Sequence, residues 1–272
     1  MNSTRLALVG IVAVATIALT GCQSASAPDS QGSAGADSSL SDVQDAGVLT
    51  IGTEGTYRPF TFHDASGDLT GFDVEIATAV AEKLGVEPEF QETQWDAIFA
   101  GLDAGRFDII ANQVSITDER EEKYELSEPY TVSPGVVIVA SDNTDIDSLE
   151  SLEGKTTAQS LSSNWYELAQ QNGAKVEAVE GWAQAVALLE QGRVDATLND
   201  KLTFLDYTTT EAGAGETLKV AAETDDPSRN AFVVKKGQTA LIDAVNDALV
   251  ELRADGTLAE ISEKYFGEDV TE

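Results

Sequence analysis

The sequence predicts an α/β protein built from two similar lobes, on three observations. From Trp95 the chain reads W-D-A-I-F-A-G-L-D-A-G-R-F-D-I-I-A-N, and from Trp182 it reads W-A-Q-A-V-A-L-L-E-Q-G-R-V-D-A-T-L-N. Trp, Leu, Gly-Arg, Asp and Asn recur in register, 87 residues apart. Each copy reads as a helix closed by a glycine, then a short apolar strand. The separation is too long for a short-period solenoid and fits one such unit per lobe. Strand-like and helix-like stretches alternate along the rest of the chain, as in α/β architectures. Finally, the second copy lies between strands near Val136 and Leu218, so the chain can leave one lobe, build the other and return through Phe232. Two crossings make a hinge. Ligands bind at the C-terminal ends of α/β strands, so two such ends facing each other make a cleft.

In chain order, residues 48–53 are an apolar run containing glycine, hence a strand. Residues 61–64 extend a second strand, turned at Ser66-Gly67-Asp68. Ile76, Val80 and Leu84 fall four apart and give residues 72–84 one apolar stripe, a helix closed by Gly85 before Pro88. A strand at 89–91 precedes the first repeat copy, with its helix at 96–104 and its strand at 107–111. Residues 136–140 are a fully apolar strand. A short helix or turn at 146–152 leads to a strand at 156–159. The helix at 164–172 starts after Ser160, Ser162 and Ser163, which suit an N-cap. A strand at 176–179 precedes the second copy. Strands at 218–221 and 232–235 follow. A helix at 240–253 carries Leu241, Val245, Leu249 and Leu252 on one face, and a short helix at 258–266 ends the fold.

With 272 residues, 42% hydrophobic and 24% charged, the chain can bury one large or two small cores. Its charge is lopsided: 16 basic against 48 acidic residues, a formal net charge of −32. That charge is spread along the chain as a solvated coat. It repels nucleic acid and anionic headgroups, so no nucleic-acid partner is expected. One Cys and one His rule out an intrachain disulfide and a Cys- or His-rich metal site. No metal and no cofactor is expected.

Residues 1–21 carry one basic residue, Arg5, then an apolar run at 6–19 that is short for a membrane span and has the anatomy of a secretory signal. The segment ends Leu19-Thr20-Gly21-Cys22, which resembles a bacterial lipobox. Cleavage before Cys22 and lipidation of its thiol are expected, tying the protein to the outer face of the cell membrane. Residues 22–42, rich in Ser, Ala, Gly and Asp, read as the lipidated Cys and a flexible tether. The remainder divides into lobe 1 (43–132 plus 231–272) and lobe 2 (133–230).

Six motifs then stand in order: T-E-G-T-Y-R-P-F from Thr53, G-F-D-V-E from Gly71, S-I-T-D-E-R from Ser115, L-S-E-P-Y from Leu126, Asn199-Asp200, and A-D-G-T-L with Y-F-G near the C-terminus. Together they resemble the extracellular solute-binding proteins that feed polar amino acids to ABC transporters. The segments G-T-Y-R-P-F-T-F-H-D, T-Q-W-D-A-I-F-A-G-L, A-N-Q-V and Q-S-L-S-S-N-W, with N-D and F-L-D-Y, are most similar to the L-cystine-binding branch. The resemblance implies a two-lobed periplasmic-binding-protein-like fold of type II, two Rossmann-like lobes joined by two hinge strands. It also implies a monomer that closes on an amino acid, L-cystine by the branch, and a membrane permease as partner. Arg58 departs from the small residue of the branch.

A zwitterionic ligand needs a cationic fork for its carboxylate and an anion for its ammonium. Arg120 stands where the family binds the carboxylate, and its planar fork suits both oxygens. Asp200 stands where the family binds the ammonium, at the end of the second-copy strand, where an Asp also suits capping the next helix. Ser115 is expected to donate to the carboxylate and the backbone carbonyl of Gln113 to accept from the ammonium. The backbone amides of Ser162 and Ser163 open a helix and are expected to face the ligand. Tyr57 and Trp95 match positions where the family stacks aromatic rings. Glu54, Asn164 and Trp165 are candidate readers of the side chain, whereas Trp182 and His63 read as core and loop residues. No nucleophile–base pair stands out, so capture without chemistry is expected. Glutamine or another polar amino acid stays open as ligand. So do a cyclohexadienyl-dehydratase-like enzyme, with a cleft carboxylate such as Glu54 as general acid, and a ligand sensor.

Overall fold

The computed structural model describes residues 37–271. The signal segment, Cys22 and most of the expected tether lie outside the described residues. The tether's expected last residues do not behave as one: helix α1 (Ser39–Ala46) begins there. Asp37 Oδ2 accepts from the Ala240 amide at 2.6 Å and Ser39 Oγ from the Leu241 amide at 3.1 Å. A helix start leaves such amides without intrahelical partners, and small polar side chains satisfy them. A Ser- and Asp-rich composition therefore serves docking here, which composition alone does not reveal.

After α1 come β1 (Val48–Thr53), β2 (Thr56–Tyr57), β3 (Thr61–His63), β4 (Leu69–Thr70), α2 (Phe72–Leu84), β5 (Glu87–Glu92), α3 (Trp95–Asp103) and β6 (Ile109–Ser115). Next are α4 (Asp118–Lys123), β7 (Tyr124–Leu126) and β8 (Thr131–Ser133). Then follow β9 (Gly135–Ala140), β10 (Thr156–Gln159), α5 (Asn164–Gln171), β11 (Lys175–Ala178), α6 (Trp182–Glu190) and β12 (Thr197–Asp200). The chain continues through α7 (Lys201–Thr210), α8 (Ala214–Thr217), β13 (Leu218–Glu223), β14 (Ser228–Lys235), α9 (Thr239–Ala254) and α10 (Thr257–Phe266).

The fold is mixed α/β with two lobes. In the first, the sheet order is β5-β1-β6-β14-β7, with β8 also on β14. The β1 pairings with β5 and β6 are parallel, and those of β14 are antiparallel. Pro88 sits inside β5 without harm because β5 is an edge strand paired with β1 alone. The second lobe holds an antiparallel sheet β12-β9-β13 and a parallel pair β10-β11, bridged at Thr157 and Ala196. The chain leaves the first sheet after β8 and returns through β14. These two strands pair with each other, Ser133 opposite Ser228.

The internal repeat survives bond for bond. Gly105 and Gly192 both close their helices at positive φ, 70° and 65°. Arg106 N–H reaches the Gly101 carbonyl at 3.0 Å, and Arg193 N–H reaches that of Leu188 at 2.9 Å. Asp108 then accepts from the Thr50 amide and Asp195 from the Thr156 amide, tying each copy to the neighbouring strand. The shared Gly-Arg-x-Asp thus encodes one helix stop and one strand anchor in each lobe.

Ile51, Ile109 and Phe232 of the first sheet pack against Ile76 and Val80 of α2 and Leu241, Val245 and Leu249 of α9, the apolar stripes read from the sequence. Val136, Ile138, Val186 and Leu189 belong to a separate core in the second lobe. Burying each such side chain fully contributes about 1.5–3 kcal/mol, so each lobe carries its own stabilising core.

Candidate ligand site

The two repeat strands end at a shared cavity between the lobes. Glu54, Tyr57, Trp95, Asn112 and Gln113 line it from the first lobe. Gln159, Ser163, Asn164, Trp165, Trp182 and Asn199 are among those that line it from the second. Of the residues expected from sequence, Glu54, Tyr57, Trp95, Gln113, Ser163, Asn164 and Trp165 therefore reach the wall. Trp182, expected in the core, lines the cavity as its repeat mate Trp95 does, standing edge-on to Tyr207.

The matched asparagines bond differently, one within its lobe and one across the cleft. Asn112 Nδ2 donates to Glu54 Oε2 at 2.7 Å, and its Oδ1 accepts from the Glu54 amide at 2.8 Å. Asn199 Oδ1 accepts from the Tyr57 hydroxyl at 2.7 Å, across the cleft. Neither is among the site residues expected from sequence, although the repeat register marks both and Asn199 stands in one of the motifs. Burial pushes the Glu54 carboxyl up to about 7 against the Asn112 bond, with Asp96 nearby adding to the shift.

Arg120, Ser115, Asp200 and Ser162 adjoin the lining residues without lining this cavity. The Arg120 guanidinium packs over Trp95, 5.4 Å from the ring centroid, and over Phe99, 5.3 Å away. It donates to the carbonyls of Ser115 at 2.8 Å and Ser162 at 3.3 Å. It is 8% exposed, and among the described residues it has no carboxylate within ion-pair distance. Burial lowers its pKa to about 10, so it stays cationic at neutral pH. Glu167 and Glu119 favour the charge from a longer range, but a buried cation with no carboxylate in contact is costly unless something else supplies the charge. The Ser115 hydroxyl donates to Asn230 Oδ1 and accepts from Ser228.

Asp200 does cap a helix: its Oδ1 accepts from the Leu202 amide at 2.8 Å and from the Ser133 hydroxyl at 2.6 Å. Its other oxygen takes no hydrogen bond among the described residues, so the capping and binding roles are compatible. Burial raises its pKa to about 6, opposed by the Ser133 and Leu202 bonds.

The expected amide pair at the start of α5 is corrected. The Ser162 N–H donates to Asp96 Oδ1 at 3.0 Å and the Ser163 N–H to the Ser160 carbonyl at 3.1 Å. Ser163 Oγ caps the Tyr166 amide at 3.0 Å. The amides left over at this helix start are those of Asn164 and Trp165, both residues of the cavity wall. The capping turn consumes the first two donors, which shifts the free pair by two residues.

Further contacts cross the cleft. Arg58 Nε meets Asp206 Oδ2 at 3.2 Å and its guanidinium lies 3.9 Å above the Phe62 ring, so this side chain spans the two lobes. Thr203 Oγ1 donates to the Tyr57 hydroxyl at 3.2 Å. His63 Nδ1 lies 3.2 Å from the Gly55 carbonyl and Nε2 meets Glu92, off the cavity wall. Among the described residues, no group of three or more His, Cys, Asp or Glu could hold a metal ion.

Two α/β lobes either side of a small aromatic and acidic cavity, with a buried guanidinium beside it that has no carboxylate partner among the described residues, define a protein that captures a small solute. A family model for bacterial extracellular solute-binding proteins, family 3, matches residues 49–268, and the chain belongs to this family. It is 49% identical over 272 residues to the L-cystine-binding protein TcyA of Bacillus subtilis, covering 100% of both chains. It is 45% identical to the L-cystine solute receptor of Neisseria gonorrhoeae in an unliganded open conformation, covering 86% of this chain and 98% of that one, with a TM-score of 0.58. An ancestral arginine-binding protein bound to glutamine is 37% identical, covers 82% and 99%, and reaches a TM-score of 0.77.

Proposed function

We propose that this protein captures L-cystine outside the cell and delivers it to an ABC permease, with Cys22 lipidated and tethering it to the membrane. The observation that carries the reading is the buried Arg120, which has no carboxylate partner among the described residues and packs over Trp95 of a cavity that Glu54 also lines. An α-carboxylate supplies the missing counter-ion, an α-ammonium faces Asp200, and the second ammonium of cystine suits Glu54. Tyr57, Trp95, Trp165 and Trp182 surround the aliphatic disulfide bridge. The 49% identity to a cystine-binding protein supports this ligand over glutamine.

Closure is part of the reading. The lower TM-score against the open receptor, despite its higher identity, fits lobes that meet differently here. The crossings at β8 and β14 are the hinge, and the cleft-spanning bonds of Tyr57, Arg58 and Asp96 belong to the closed form. The protein is a monomer without catalytic function. One observation favours a second reading: a carboxyl near 7, as in Glu54, is what a general acid needs.

Calorimetric titration of the domain with L-cystine, other amino acids and prephenate separates these. Saturable cystine binding that Arg120→Ala abolishes, with folding intact, supports capture. Tighter binding of another amino acid moves the ligand. Prephenate turnover favours the enzyme, and binding retained in Arg120→Ala refutes the site.

A further inference from the structure

The chain crosses between the lobes twice, and the two crossings meet at a pair of serines. Ser133 is the last residue of β8 before the chain enters the second lobe, and Ser228 is the first of β14 after it returns. They stand opposite each other in the antiparallel pairing of the two strands. Each hydroxyl bonds a residue expected to hold the ligand. Ser133 Oγ donates to Asp200 Oδ1 at 2.6 Å, and Ser228 Oγ donates to Ser115 Oγ at 2.8 Å. Asp200 ends β12 of the second lobe, opposite Gly135 just beyond the crossing. Ser115 ends β6 of the first lobe. Its hydroxyl donates to Asn230 Oδ1 of β14 at 3.0 Å, and its carbonyl accepts from Arg120 at 2.8 Å.

The sheet does not call for these hydroxyls, because a paired strand needs only its backbone bonds. A hydroxyl as buried as that of Ser133, 2% exposed, must find an acceptor or cost stability. The α7 cap is also complete without Ser133, since Asp200 Oδ1 takes the Leu202 amide directly. The Ser133 hydroxyl instead adds a donor to the carboxylate, on the oxygen that already caps the helix. The Lys201 amide reaches the Pro134 carbonyl at 3.0 Å, so the start of α7 is tied to the crossing through the backbone as well. Ser133 belongs to the first sheet and Asp200 to the second, with Pro134 and Gly135 leading from one to the other. Their bond therefore spans the pivot, and its geometry depends on the angle between the lobes.

We propose that Ser133 and Ser228 are positioning residues that couple ligand capture to the hinge: Ser133 holds Asp200 across the pivot, and Ser228 holds Ser115 to the returning strand. This deepens the amino-acid reading above and rests on it. A ligand cation beside the other oxygen of Asp200 favours the ionised carboxylate, and an ionised acceptor strengthens the bond from Ser133. A ligand carboxylate that takes the Ser115 hydroxyl leaves Asn230 Oδ1 open. The Ser228 hydroxyl stands 3.3 Å from that oxygen and can turn to it. Both changes fall on the facing pair at the crossing. Filling the site thus alters the bonds of the strands that set the closure angle, which is how a ligand favours one state over the other.

The test is calorimetric titration with L-cystine, with X-ray scattering of the empty and saturated domain. Ser133→Ala should weaken binding by about tenfold or more, since its acceptor is a carboxylate, and Ser228→Ala by about two- to tenfold. In a Ser115→Ala background, Ser228→Ala should cost no more than about twofold. The decrease in radius of gyration on saturation should be smaller in both serine variants than in wild type. The Ser133 bond holds the Asp200 carboxyl down against burial. The pH at which binding falls off on the acid side should therefore move up in Ser133→Ala and stay in place in Ser228→Ala, a difference that a merely structural role would not produce. Wild-type affinity in both variants, an unmoved acid limb in Ser133→Ala, or the full wild-type decrease in radius in both overturns the proposal. If Ser133→Ala does not fold, the Ser228→Ala and Ser115→Ala cycle decides: a coupled loss supports the proposal and additive losses overturn it. A wild type that binds no amino acid overturns the amino-acid reading and this inference with it. A wild type that binds while both serine variants bind, close and titrate as it does overturns this inference alone.

Discussion

Replacing Asp96 by Ala should weaken ligand binding by about 5- to 30-fold. One oxygen of Asp96, in the first turn of α3, accepts from both the Ser162 amide at 3.0 Å and the Ser162 hydroxyl at 2.6 Å in the opposite lobe. Buried hydrogen bonds to charged groups are worth about 1.5–3 kcal/mol each. These are exposed and screened, so about 1–2 kcal/mol for both together is reasonable. If they form only when the lobes meet, and the ligand favours that state, the whole loss appears in binding. Ser162→Ala deletes only the hydroxyl bond and should weaken binding by about two- to fivefold. Asp96→Ala also removes an acid from a helix start, lowering stability by about 0.3–1 kcal/mol. Thermal unfolding therefore accompanies the calorimetric titration, and X-ray scattering of the empty and filled domain reads closure. A Kd within about twofold of wild type for a folded Asp96→Ala would refute the assignment of this contact to the closed form.

Other expectations follow from the same geometry. Arg58→Ala should raise Kd by about two- to fivefold at low salt, since its partly exposed pair with Asp206 is worth about 0.2–1 kcal/mol. The wild-type preference should shrink as salt rises, and an effect independent of salt would argue against the ion pair. The carboxyls of Glu54 and Asp200 stand at about 7 and about 6, raised from 4.5 and 3.8. The folded protein thus holds these protons more tightly than the unfolded chain. Their contribution to the stability of the empty domain is full below the unfolded values and is lost as pH rises through about 6–7. A bound ammonium favours the ionised forms. Affinity should therefore rise from pH 5 to pH 8 with proton release at pH 6, visible as a buffer-dependent enthalpy. Glu54→Gln should flatten the upper part of that rise, and affinity that falls above pH 6 would contradict the placement of the ammonium.

Much of the architecture was legible in the chain. The repeat from Trp95 and Trp182 became α3–β6 and α6–β12 with matching caps, because a glycine stop and an Asp that accepts the neighbouring strand's amide are local requirements. The apolar stripes of α2 and α9 packed as their spacing required. Short polar elements were not legible. Helix α4 reads D-E-R-E-E-K, with no apolar period, and is held by Thr117 capping the Arg120 amide and by its neighbours. Helix α7 carries many threonines and begins at the Asp200 cap. The strand at 89–91 lengthened to Glu87–Glu92 because an edge position tolerates the proline.

For the site, part of the cluster could be named from the chain: Glu54, Tyr57 and Gln113, in or beside strands β1, β2 and β6, and Trp95, at the start of α3, meet at one cavity. How each polar group is used depends on partners that folding brings from far along the chain. Ser162 is held by Asp96, Arg58 reaches Asp206, and the free amides of α5 shift to Asn164 and Trp165. Arg120 is left buried with no carboxylate within ion-pair distance among the described residues. The physical reason is that helices and strands are specified by neighbours a few residues apart. The partner of a polar group in the cleft comes from the other lobe instead, as with Tyr57 and Asn199, 142 residues away.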